Sequence, residues 1–238
     1  MTARERKQKA ALREKGARLT ARLRELYPAA ECALVFEGDP YRLLVMAMLS
    51  AQCTDKRVNE VSVALFNAFP DARAMAAASQ EDVEHYIRSC GLYRTKAKNL
   101  RAAGAILAEQ YGGEVPSDMD ALLALPGVGR KIANLIRGDV FGLPAVVTDT
   151  HCIRLAGRFG FCAEDERNPL RIERILCDAI EPQEQSDFCH RLVLFGREVC
   201  TARNPACSRC PVRDLCDRYG RTERKNKSSA ETDEGEYA

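Results

Sequence analysis

The chain has 238 residues, 46% of them hydrophobic, with 36 Lys+Arg against 34 Asp+Glu and a formal charge of +2. That length allows one large or two small globular domains with a proper core. The charge is too mild to imply nucleic acid by itself, and the longest apolar stretch, around Leu43 to Leu49, falls far short of the ~20 residues that a membrane span requires. Eleven cysteines would suggest disulfides in a small secreted chain. Here there is no apolar signal segment and most of them are scattered singly through helical patterns, so a reducing cytoplasm is the expected compartment.

From Thr2 to Leu26 nearly every residue is a helix former, and Leu12, Leu19, Leu23 and Leu26 recur at helical spacing, which predicts a basic amphipathic helix. Tyr41 to Leu49 predicts a more buried helix ending at Ser50-Ala51-Gln52-Cys53-Thr54. Asp55 is a candidate cap for the next one, whose Val58, Val61, Leu65 and Phe66 form an apolar face up to Pro70. Ser79-Gln80-Glu81-Asp82 starts a short helix that runs out at Cys90-Gly91, and a longer one is expected over Thr95 to Tyr111. Pro116 to Asp120 begins another, whose leucines lead into Leu125-Pro126-Gly127-Val128-Gly129. Helical periodicity returns over Lys131 to Phe141, Thr150 to Phe159, Arg171 to Ile180 and Asp187 to Val199. The strand-like run Ala145-Val146-Val147 is too short to seed a sheet, so the class is all-α. From about Glu223 the chain is polar without apolar period, the pattern of a disordered tail.

Three motifs carry chemistry. Leu125 to Gly129 is a tight turn between two helices, where the glycines bare backbone N–H groups at a helix start. Such a turn can grip a phosphate, and because it reads backbone it carries no sequence information. Lys131 follows it, either as an electrostatic contact or as a nucleophile, and Asp149 is placed to cap the next helix. Cys200, Cys207, Cys210 and Cys216, spaced C-x6-C-x2-C-x5-C, put four soft ligands within reach of one centre. A zinc ribbon normally brings two Cys-x2-Cys pairs. One pair with two outliers in a single compact loop, all thiolate, suits a [4Fe–4S] cluster, with zinc left open as the alternative. Arg197, Arg203, Arg209 and Arg213 stand near this loop, able to face the cluster's negative charge or DNA phosphates.

Leu125 to Lys131 resembles the helix-hairpin-helix of the DNA glycosylase superfamily. Together with Leu49-Ser50-Ala51-Gln52, Gly91-Leu92-Tyr93, Asp149-Thr150-His151 and the cysteine loop, in this order and spacing, it resembles the endonuclease III family from about residue 20 to 220. The resemblance implies two helical domains with a cleft between them. One is a six-helix barrel over about 33–143 that includes the hairpin; the other is an iron–sulfur domain joining residues 1–32 to 144–222, with 223–238 as the tail. It implies Lys131 as the nucleophile at the sugar C1′ and Asp149 as the carboxylate that helps activate it and stabilises the cationic sugar. Helix-end field and a partly dry surrounding would favour the free amine. It places Gln52 and Leu92 in the duplex gap left by an extruded nucleotide. Leu125, Gly127, Val128, Gly129, Arg130 and His151 are expected on the DNA side, and Cys200, Cys207, Cys210 and Cys216 on a [4Fe–4S] cluster.

The expected function is a glycosylase that removes oxidised pyrimidines and an AP lyase that cleaves by β-elimination through a lysine Schiff base. The expected partner is double-stranded DNA with damaged bases or abasic sites, met by a monomer, in the cytoplasm and on the nucleoid if the chain is bacterial. The alternatives are a monofunctional adenine or mismatch glycosylase and a non-catalytic iron–sulfur DNA-binding or redox-sensing protein. Cys53, where many relatives carry Ala, and Ile132, where many carry Thr, depart from the family pattern.

Overall fold

A computed structural model describes residues 2–222, and the expected tail from Glu223 lies outside them. The described chain is all-α, with no strand. The apolar run Ala145 to Val147 is buried but stays irregular. No helix among the described residues is long and apolar enough to cross a membrane. The chain divides into two compact units: one continuous, Cys32–Ala145, and one formed by Met1–Glu31 with Val146–Ala238.

The continuous unit is built around α2 (Pro40–Leu49), eight of whose ten residues are buried. Asp39 starts it, its carboxylate accepting from the N–H groups of Tyr41 and Arg42, and Pro40 fits the first turn because its missing N–H would have had no helical partner. Around it lie α3 (Asp55–Ala68), α4 (Ala72–Ala77), α5 (Gln80–Ile87), α6 (Tyr93–Gln110), α7 (Met119–Leu123) and α8 (Arg130–Asp139), with α3, α6 and α8 packed directly on α2. Short α4 is not visible as an apolar period because Ala72–Ala77 is mostly alanine. Asp71 caps it, Met75 anchors it, and it docks on α6 at Gly104, where a Cβ would lie 2.8 Å from the Ala72 carbonyl oxygen. Among the helix starts that differ from the sequence reading are those of α3 and α6. Thr54, not Asp55, caps α3, its hydroxyl accepting from Arg57 N–H; α6 begins at Tyr93 rather than Thr95, after a left-handed Leu92.

In the second unit α1 (Ala3–Leu26) packs on α10 (Pro169–Ala179) and α11 (Gln185–Glu198), and α9 (Thr150–Phe159) packs on the same two helices. Leu19 and Leu23 of α1 are fully buried, and Gly16 lies so close to the Ala179 carbonyl that a Cβ there would overlap it. The basic face of α1 is largely used inside the unit. Arg13 donates to Asp178 O, Lys15 to Phe159 O and Asp217, and Arg22 to Pro211 O. Arg24 meets Glu184 at 2.5 Å, and the same carboxylate accepts from buried Arg191 at 3.4 Å.

The Arg24 hydrogen bond, helped by Arg191, holds the Glu184 carboxyl below its ordinary range. A lowered folded pKa means stability that is present above the unfolded value and lost as the pH falls through the folded one. Glu184→Gln is therefore expected to lower the melting temperature at neutral pH. The gap to the wild type should close as thermal melts are taken below the usual carboxylate range.

Candidate active site and cysteine loop

The hairpin is held from beneath. Asp118 caps α7 through Ala121 N–H at 2.9 Å, and Val128 N–H closes the turn on Leu125 O at 3.0 Å. Leu125 and Val128 are buried and pin the turn to the core, while Gly127 and Gly129 of the same turn are exposed. Gly127 has φ +83°, and a Cβ there would lie 2.8 Å from Asn99 Nδ2 and 3.1 Å from Met48 Cε, which makes glycine obligatory. Gly129 is the N-cap of α8, with no side-chain cap and open space where its Cβ would be.

Eight other α-helices, α2, α3, α7 and α9 among them, start under an oxygen of Asp, Asn, Ser or Thr. Helix α8 leaves its positive end uncovered and follows it at once with exposed Arg130 and Lys131. Two cations on an uncapped helix start make an anion site. Ile132, next in line, is half-buried against the core. Lys131 is exposed, so the partly dry surrounding expected for it is not supplied by the folded chain alone.

A second group forms where α2 ends and α6 begins. Gln52 and Leu92, with Glu37, are the non-glycine residues of positive φ among those described, at 53° and 58°. A left-handed backbone costs such a residue about 1–2 kcal/mol, strain that collects at functional positions. Both side chains are exposed, Leu92 at 59%. The structure brings these two turns together: a Cβ on Gly91 would lie 3.1 Å from the Gln52 carbonyl oxygen, and Arg57 of α3 donates to Ser89 Oγ at 2.8 Å. Beneath them Lys96 is only 6% exposed, and its Nζ donates to Leu49 O at 2.8 Å and Ala51 O at 2.7 Å. Burial lowers its pKa. The lysine thus ties off the end of α2 and fixes the backbone just before Gln52.

In the other unit Asp149 is the expected N-cap of α9, its Oδ1 accepting from Cys152 N–H at 2.7 Å. His151, half-buried, has its Nδ1 3.1 Å from Arg154 and packs on Gly196, where a Cβ would lie 2.5 Å from that nitrogen. Lys131 and Asp149 belong to different units.

Cys200, Cys207, Cys210 and Cys216 share one loop, anchored by buried Val212 and Leu215 and turned by 3₁₀ segments at Cys207–Arg209 and Arg213–Leu215. Arg158 of α9, 4% exposed, organises its start, donating to Thr201 O and Ala202 O at 2.8 Å, Cys200 O at 3.3 Å and Cys200 Sγ at 3.1 Å. Arg154 adds bonds to Gly196 O and Cys200 O. By contrast Arg197, Arg203, Arg209 and Arg213 are exposed. Among the described residues no three His, Cys, Asp or Glu side chains converge tightly enough for a single metal ion. The four thiols are still electrostatically linked: burial first, then Cys200, Cys216 and Cys207, pushes the Cys210 thiol up to about 11. Four cysteines on one short loop with guanidinium groups beside them are a donor set that fits a thiolate-held iron–sulfur centre.

The family model for HhH-GPD superfamily base excision DNA repair proteins matches residues 45–182, and that for the iron-sulfur binding domain of endonuclease III matches 200–216. Endonuclease III of Synechocystis sp. is 45% identical over 195 residues, covering 82% of this chain and 88% of that protein. Endonuclease III of Bacillus subtilis is 42% identical over 192 residues, covering 81% and 87%. The chain belongs to the endonuclease III family.

A solved trapped endonuclease III–DNA covalent intermediate, an estranged-adenine complex, matches the fold with a TM-score of 0.82 at 40% identity, covering 89% of this chain and 98% of that one. As a member of the endonuclease III family the chain is a bifunctional glycosylase/AP lyase of base-excision repair that carries an iron–sulfur cluster, and the monofunctional and non-catalytic readings are not favoured.

Lys96 and Arg158 were missed in the sequence, and both had a signal. Lys96 falls on the apolar stripe of α6 with Leu100, Ala103 and Leu107, and Arg158 sits between buried Ala156 and Phe159. A cation on a buried stripe needs acceptors, and each found the carbonyls of a functional loop.

Lys96→Met leaves two carbonyls short of a donor, at about 1–3 kcal/mol each. It should slow base excision from duplex DNA more than strand cleavage at a preformed abasic site, as gel assays of the two substrates would measure. Arg158→Ala is expected to lose the visible absorbance of the cluster during purification while the far-ultraviolet circular dichroism stays helical.

Proposed function

We propose that the enzyme removes oxidised pyrimidines from double-stranded DNA as a monomer, on nucleoid DNA in a bacterial cell, with Lys131 as nucleophile and Asp149 as its carboxylate. The observation that carries this is the uncapped start of α8, where an anion-binding hairpin presents an exposed lysine in the first turn. The backbone N–H groups of the hairpin and Arg130 take a phosphate, which delivers the sugar of that nucleotide to Lys131. The likeness to a trapped covalent complex supports an enzyme–DNA bond of this kind.

Lys131 attacks C1′, the base leaves with the C1′–N bond electrons, and the attached nitrogen loses a proton. Its lone pair then expels O4′, which takes up a proton as the sugar ring opens, and the resulting iminium acidifies the C2′ proton. Loss of that proton expels the 3′ phosphate, so cleavage is elimination and not hydrolysis. Asp149, held at 2.7 Å by the Cys152 N–H, presents a fixed carboxylate to the developing positive charge of the sugar. Gln52 and Leu92, mounted on two adjoining strained turns, fill the space of the extruded nucleotide. Cys200, Cys207, Cys210 and Cys216 would hold the cluster, whose bonds brace this loop when it is bound.

A duplex with one oxidised pyrimidine should be cut in the presence of a strong chelator of divalent cations, leaving a 3′ unsaturated aldehyde identifiable by mass. Asp149→Asn should keep the fold, since asparagine also caps helices, and lose base release by about a hundredfold or more, the scale of a lost charge-stabilising group. A fully active Asp149→Asn enzyme would leave the residue only its capping role.

A further inference from the structure

Directly behind the two turns that carry Gln52 and Leu92 lie two thiols that the repair reaction does not use. Cys90 is buried, Cys53 is half-exposed beside exposed Gln52, and the two thiols lie close enough to act on one another. The backbones meet at the same place, Gly91 against the Gln52 carbonyl, and Arg57–Ser89 ties the segments on the other side. Burial first, then Cys53, pushes the Cys90 thiol up to about 11, while the nearby cations Lys96 and Arg57 act on it in the opposite direction.

We propose that Cys53 and Cys90 are a modification site, a thiol pair that hydrogen peroxide converts to a reversible disulfide, and that this bond displaces the Gln52 and Leu92 turns from their working geometry. The second clause rests on the duplex-filling role proposed for those residues. The Cys53 thiolate attacks one peroxide oxygen, the O–O bond breaks, and Cys53 becomes a sulfenic acid as hydroxide leaves. Cys90, giving up its proton, attacks that sulfur, the S–O bond breaks, and the departing hydroxide takes the proton as water. Two thiols are oxidised, one peroxide is reduced to two waters, and a dithiol reductant reverses the change. A disulfide needs sulfurs about 2.05 Å apart, so two thiols that are not bonded must close on one another, drawing the neighbours of both cysteines with them. Cys152 and Cys189 form a second thiol contact, but at 0% and 3% exposure it is closed to peroxide.

The test treats the cluster-loaded protein with dilute peroxide while its visible absorbance is followed, then blocks free thiols and maps disulfides by non-reducing digestion and mass spectrometry. A Cys53–Cys90 linked peptide that disappears with dithiothreitol is expected. No such peptide in protein with an intact cluster, or a Cys152–Cys189 link in its place, overturns the proposal. The same samples are assayed on an oxidised-pyrimidine duplex, where oxidation should slow base excision by about tenfold to a hundredfold, reversibly, as expected for displaced positioning groups. Cys53→Ala and Cys90→Ser should keep basal activity and lose the peroxide response. A disulfide that forms without slowing excision overturns the switch. A reduced protein inactive on the duplex counts against the repair reading itself, which the peptide map does not depend on.

Discussion

A buried ammonium group holds in shape the edge of the continuous unit that carries Gln52 and Leu92. Lys96 leaves water, at a cost reflected in its lowered pKa, and recovers stability through two short bonds to Leu49 O and Ala51 O. Those carbonyls lie at and just beyond the end of α2, where no helical donor remains. With them satisfied, the chain can turn sharply into a left-handed Gln52. The neighbouring Gly91 supplies the room, and Leu92, left-handed in its turn, opens the helix from which Lys96 itself projects. One side chain therefore couples the start of α6 to the end of α2 and fixes both strained turns.

The second unit repeats the device with a different cation. Arg158 reaches from the core of α9 to the carbonyls of Cys200, Thr201 and Ala202 and to Cys200 Sγ. A planar guanidinium suits this task because its fixed fork of donors can serve several acceptors at once. In both cases a well-packed helix supplies the donor and the functional loop supplies only backbone oxygens. Such a link is indifferent to the loop's side chains, which is how Cys53 can stand beside Gln52 without disturbing the turn. The hairpin follows the complementary plan: its apolar Leu125 and Val128 are spent on the core, and its exposed Gly127 and Gly129 lead into an uncapped helix start.

The sequence made legible what depends on neighbours along the chain. Helix α9 runs over the expected Thr150–Phe159 because its Asp149 cap and its Gly160 terminator are local signals. The all-α class and the family motifs were equally readable. Helix α4 was not, since Ala72–Ala77 shows no apolar period and forms on the surface offered by Gly104. The early start of α6 escaped because Leu92 adopts a backbone conformation that leucine rarely takes. Thr54 and Asp55 are both good caps, and only the folded turn decides between them. The hairpin's Leu125 and Val128 belonged to the right motif but serve it from below, a distinction that burial draws and spacing does not.

The proposed reaction centres on an amine at the head of α8 that bonds to the sugar, and borohydride trapping on duplex DNA containing an abasic site tests this most directly. Wild type and Lys131→Ala would be run in parallel, both checked for helical content and cluster absorbance. A covalent protein–DNA adduct that forms with the wild type and vanishes in Lys131→Ala is the predicted result. An adduct of undiminished yield from folded, cluster-loaded Lys131→Ala, or none from the wild type, would contradict it.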